Sequence, residues 1–348
     1  MTKRFLTVCA LMAVATLIQS AAFAEPPAKV EPVKIIFDTD IGNDVDDVLA
    51  LGMLHALETR GDCEILAVTV TKPDELAGPF VDVIDTFYDR LEIPIGCIHP
   101  LATEPAGKFL SLANIKDDGK LRYPHKLLRG SDAVAPSVVL RKTLSAQPDH
   151  SVVLVQVGYF SNFAALLDTP GDEFSPLTGK ELVMKKVRLM SVMGGKFKSS
   201  GPKDHLLEFN VIKDLPATKK LVKEWPTPMV WSGAEIGVAV PYPAISIERD
   251  FNYVTHHPVS EAYYLYKPPP HERPTWDLTS SLYAVLPDRG YFDLSEPGRV
   301  VLEPDGFTRF EPDPNGRDRY LILPPNKIAR LKEAMVQLVS QPPSDQCK

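Results

Sequence analysis

Between Asp38 and Asp47 the chain reads Asp-Thr-Asp-Ile-Gly-Asn-Asp-Val-Asp-Asp, five carboxylates in ten positions directly after an apolar run. Like charges crowded this closely repel one another, so a cation or a catalytic task must hold them together. Ligation by oxygen alone suits calcium or magnesium better than softer metals. Helix capping accounts for one aspartate, Asp46 or Asp47, but not for five. Three further places carry usable groups. Glu208-Phe209-Asn210 sets a carboxylate and an amide two positions apart, able to grip neighbouring hydroxyls. Trp276-Asp277 opens a helical pattern, where an aspartate is ordinarily an N-cap. Asp74, in Thr71-Lys72-Pro73-Asp74, is a weaker candidate for the same pocket, and His205 reads as a solvated loop histidine.

These groups need elements to position them. The apolar run at 33–37 reads as a buried strand, and 48–57 has apolar residues at helical spacing. Strand, helix and strand then follow at 65–71, 80–90 and 93–98. A helix at 133–146, a strand at 151–157, a helix at 162–167 and a strand at 187–193 continue the alternation. This pattern predicts an α/β fold with a mostly parallel, doubly wound sheet flanked by helices. In such sheets ligands bind beyond the carboxyl ends of the strands, which is where the acidic loop falls. The second half is less regular, with proline-rich turns at 226–228, 241–243 and 268–270. A helix is expected near Asp277, then a small β-rich segment at 288–325 appended to the main sheet, and a last helix at 326–339.

Residues 1–24 read as a signal peptide. Lys3 and Arg4 precede an apolar run at 5–18, and Ala22-Phe23-Ala24 supplies the cleavage pattern. The expected product is exported, periplasmic or secreted, with no membrane anchor, because no later segment is apolar enough to span. The expected domains are 25–287, an α/β unit, and 288–348, a β-rich extension and helix packed on it. With 38 basic and 45 acidic residues the chain is acidic, and loss of Lys3 and Arg4 makes it more so. A nucleic-acid partner is therefore a poor expectation, whereas a bound cation suits the charge. Cys63, Cys97 and Cys347 show no metal-binding spacing; export would permit a Cys63–Cys97 disulfide.

The acidic loop, with Glu208-Phe209-Asn210 and Trp276-Asp277, resembles the inosine–uridine-preferring nucleoside hydrolases. Their signature is Asp-x-Asp after the first strand and an Asp-Asp pair opening a helix; here the loop is two residues longer than the shortest family form. The resemblance implies calcium-dependent hydrolysis of the N-glycosidic bond of a nucleoside, a small-molecule ribosyl substrate and self-association as an oligomer. It implies that Asp40 is both general base and metal ligand, with Asp47, Asp277 and the Val157 carbonyl completing the metal set. Asp46, Glu208 and Asn210 would bind the sugar, with Asp74 nearby and Trp276 lining the pocket. Asp44, within the extra residues, receives no role. Trp276 stands where many members carry a histidine that protonates the departing base, and indole cannot deliver that proton. Two other readings of the chain are a ribosyl-ligand binding protein and a phosphatase of the haloacid dehalogenase type, in which Asp38 would be the nucleophile and Asp40 the acid.

Overall fold

The computed structural model describes residues 31–99 and 106–343, so the expected leader and Cys347 lie outside the described residues. In chain order the first half contains β1 (Val33–Thr39), α1 (Asp46–Thr59), β2 (Cys63–Val70), α2 (Ala77–Phe87) and β3 (Ile95–Cys97). A hairpin of β4 (Lys116–Asp117) and β5 (Lys120–Leu121) precedes α3 (Pro136–Ser145), β6 (Val152–Gln156), α4 (Ser161–Leu167), α5 (Gly179–Lys186) and β7 (Val187–Met193). The second half adds α6 (Phe209–Lys213), α7 (Leu215–Glu224), β8 (Met229–Ser232), α8 (Ala234–Ala239), α9 (Ala244–Arg249), α10 (Pro258–Tyr266) and α11 (Trp276–Val285). It ends in β9 (Asp293–Leu294), β10 (Gly298–Leu302), β11 (Thr308–Pro312), β12 (Asp318–Ile322) and α12 (Ile328–Val339).

The parallel part of the sheet runs β3-β2-β1-β6-β7-β8-β12, with β10 and β11 antiparallel beyond β12. Strand β6 is buried at every position, as expected of a strand covered on both faces. Alternate residues of β1 serve two cores. Ile35 and Phe37 join the cluster that holds α1, α2, α11 and α12, while Ile36 joins Val152 and Leu154 under α3, α4 and α5. Helices thus cover both faces, as the alternation predicts. Helix α1 is buried from Asp46 to Leu57, because α11 and α12 both pack against it. The C-terminal strands are more than an appendage, since β12 pairs in parallel with β8 and extends the main sheet. Among the described residues no helix is long and apolar enough to cross a membrane. Cys63 and Cys97 are buried free thiols, not a disulfide.

Candidate functional site

The acidic loop leaves β1 at Thr39, and Val157, Met193 and Ala234 follow or end the neighbouring strands β6, β7 and β8. Their carboxyl ends therefore converge on one side of the sheet. There a pocket of about 400 Å³ is lined by Asp40, Asp46, Asp47, Asp277, Val157, Glu208 and Asn210 on its polar part. Leu206, Leu207, Phe209, Ala234 and Trp276 form an apolar part of the same wall. Residues separated by most of the chain meet here because adjacent parallel strands all end on this side.

Asp46 and Asp47 open α1 and Asp277 stands in the first turn of α11. Each offers a carboxylate oxygen within 4.8 Å of the other two, and all three side chains are buried. Burial, and then repulsion from the neighbouring carboxylates, pushes all three well above the ordinary carboxylate range. Compensation within the chain is thin. Asp46 accepts the Asp277 amide at 3.2 Å, and the Asp47 carboxylate is held by the Thr39 hydroxyl. Such a cluster is a candidate metal centre built of hard oxygen donors. The expected ligand set had Asp40 in place of Asp46. Asp40 lines the same pocket, but the tight three-carboxylate cluster contains Asp46, since adjacent residues at a helix start both face Asp277. Burial raises Asp40 to about 6, against a lowering hydrogen bond from Asn43.

The Val157 carbonyl accepts the Asn210 side-chain amide at 2.8 Å, leaving one of its two lone pairs open. Asn210 thereby orients the carbonyl as well as lining the pocket. Glu208 is the N-cap of α6, accepting from the backbone of Asn210 at 3.0 Å and Val211 at 3.1 Å. Burial lifts its carboxyl to about 7 despite those amides. Gly158 allows β6 and the acidic loop to approach closely. A Cβ there would lie 2.6 Å from the Thr39 carbonyl carbon and 2.7 Å from the Asp40 nitrogen. Gly158→Ala must displace Asp40, and should cost about 1–3 kcal/mol of stability with a clear fall in turnover. A chemical denaturation curve beside a rate measurement checks this; an unperturbed variant would mean that the loop tolerates movement.

Asp74 does not join the site. Its carboxylate binds the amides of Leu76 at 2.9 Å and Gly107 at 3.4 Å, a local turn of the kind aspartate favours, and it is not among the pocket residues. His205 is exposed, paired with Asp305 at 2.7 Å and stacked on Phe307. Trp276 does line the pocket, its indole N–H fixed on the Ala234 carbonyl at 2.9 Å. Other neighbours were not read from sequence. Asn43 donates to Asp40 at 2.6 Å and to the Tyr159 hydroxyl at 2.6 Å, while buried Lys72 donates to the Asn43 oxygen at 2.6 Å. Asp44 is bound by the Arg273 guanidinium and by the Tyr266 hydroxyl at 3.1 Å. Only the density of charge in the loop hinted at such partners. Asp38 is wholly buried, its carboxylate held by Thr69 at 2.5 Å and Asn162 at 2.8 Å. It cannot reach a substrate as a nucleophile, which removes the phosphatase reading.

A parallel sheet with buried carboxylates gathered beyond its strand ends defines an α/β protein with a candidate cation site in its main pocket. The model of the inosine-uridine preferring nucleoside hydrolases matches residues 35–283, and the chain belongs to that family of N-glycosyl hydrolases. No curated protein matches the chain in sequence. Among solved structures, the plant nucleoside hydrolase PpNRh1 superposes with a TM-score of 0.64 at 18% identity, covering 89% of this chain and 100% of that one. The inosine-uridine preferring nucleoside hydrolase from Bacillus anthracis gives 0.62 at 16%, covering 88% and 99%. The type III effector protein XopQ, solved with adenosine diphosphate ribose, gives 0.59 at 15%, covering 89% and 93%. At these identities the likeness is one of fold.

Proposed function

We propose that this protein hydrolyses the N-glycosidic bond of a ribonucleoside or closely similar ribosyl compound, releasing base and ribose in a calcium-dependent reaction. The observation that carries the reading is the buried carboxylate cluster of Asp46, Asp47 and Asp277 beside Asp40 in one pocket. Calcium fits the donor set: every donor is oxygen, and the Asp277 carboxylate accepts no hydrogen bond among the described residues. Asp40, Asp47, Asp277 and the Val157 carbonyl would hold the ion, with Asp46 close enough to share it. A divalent cation supplies charge that acidifies water and orients hydroxyls.

The remaining chemistry belongs to the chain. Asp40 takes the proton of the water that attacks the anomeric carbon, the task of a general base placed within the pocket. Loss of the base leaves positive charge on the sugar ring, and the surrounding carboxylates stabilise it where it forms. Asp46, Glu208 and Asn210 bind the ribose hydroxyls, and the apolar wall at Trp276 receives the base. A leader at 1–24 would put this activity outside the cytoplasm, where it scavenges nucleosides. The test is release of base and ribose from a nucleoside panel, with calcium and after chelation. Calcium-dependent release supports the reading, and no release from any nucleoside or other riboside overturns it.

A second reading, a ribosyl-ligand binding protein, is favoured by Trp276, whose N–H is committed to Ala234. The solved complex of XopQ with adenosine diphosphate ribose is a precedent for ligand binding on this fold. Tight calorimetric binding of a ribosyl ligand without turnover would select it.

A further inference from the structure

One cation in the pocket has no part in the chemistry described above. Arg273 lines the pocket beside Trp276, and its guanidinium is fixed on three sides. Its carbon lies 4.9 Å from the Trp276 ring centroid and 5.1 Å from that of Tyr266. Asp44 takes its Nε at 2.8 Å and its Nη2. Among the described residues Nη1 has no hydrogen-bond partner. A planar fork clamped in this way presents its open donors with little further loss of freedom. The clamp depends on Asp44, which lies in the two-residue excess of the acidic loop and is itself steadied by Tyr266.

With the ribose hydroxyls on Asp46, Glu208 and Asn210, the leaving group would face the remaining wall of the pocket, which Trp276 and Arg273 line. Indole has no proton to give, and a guanidinium does not deprotonate in proteins. It can, however, stabilise negative charge that develops in a water-poor site. We propose that Arg273 binds the departing group as an anion, so that the substrate class is ribosides with an acidic leaving group. The inference rests on the hydrolase reading and deepens it. The glycosidic bond breaks with its electron pair passing to the leaving atom. Water oxygen bonds to the anomeric carbon, and its proton goes to Asp40. The anion pairs with Arg273 and takes a proton from solvent after release.

Three aryl β-D-ribofuranosides test this: 4-nitrophenyl, 4-cyanophenyl and phenyl, in order of falling leaving-group acidity. In the wild-type enzyme with calcium, kcat/KM should fall only shallowly along the series. Arg273→Met should steepen that fall, losing about 10²–10³-fold on the phenyl riboside and far less on the nitrophenyl one. Arg273→Lys keeps a cation for Asp44 but loses the flat fork, and should steepen it too. It carries the test if the methionine variant does not fold. An equal loss on all three substrates would make Arg273 a merely structural group and overturn the proposal. Absence of release from every riboside and nucleoside by the wild-type protein would overturn the hydrolase reading itself.

Discussion

Asp40→Asn is expected to lower kcat by about 10³-fold, within the range that a positioned general base contributes. The substitution is nearly isosteric, and the asparagine oxygen can still accept the 2.6 Å hydrogen bond from Asn43. The loop should therefore keep its shape while losing the proton acceptor. Asp40 is suited to the role by its position, since it lines the pocket beside Asp47, Asp277 and Val157. Steady-state kinetics on the best nucleoside of the panel, with thermal unfolding as a control, separates the chemistry from the fold. A variant within about ten-fold of wild type, a loss too small for a removed base, would move the base elsewhere in the pocket.

Asp277→Ala should abolish the response of stability to calcium. An ion that binds only the folded chain, at about 100 times its dissociation constant, stabilises by about 2.7 kcal/mol. For a domain of this size that is a rise in Tm of roughly 4 °C. The alanine variant removes one of three buried donors within 4.8 Å of one another, so the rise should vanish. Its metal-free form should be no less stable than wild type, because burial and the charges of Asp46 and Asp47 already oppose ionisation of Asp277. The opposite signs distinguish a lost ligand from general damage. Scanning calorimetry with calcium and with chelator reads both, and an undiminished calcium response would place the ion at other residues.

Much of this arrangement was legible in the sequence, for a physical reason. Parallel strands buried on both faces read as continuous apolar runs, so 187–193 was bounded correctly and β1, β2 and β6 within two residues at each end. The acidic loop stood out because unpaired charge beside a buried strand demands an explanation. Short elements did not stand out. Strand β8 has four residues and α6, α8 and α9 five or six, too few for a period to show. Arg273 and Asp44 were hidden because 229 positions separate them; only the folded sheet brings them together. Asp74 misled because a turn aspartate and a binding aspartate look alike in sequence.

The parallel pairing of β12 with β8 also bears on how the molecule can be made. The strand at 229–232 has its outer neighbour at 318–322, and the helix bearing Asp46 and Asp47 is covered by the helix at 328–339. On the ribosome, then, the sheet keeps an exposed rim until residue 322 has been added, and the acidic helix lacks its cover until residue 339. A chain cut at residue 287 would keep every carboxylate of the pocket yet leave that rim open to other chains.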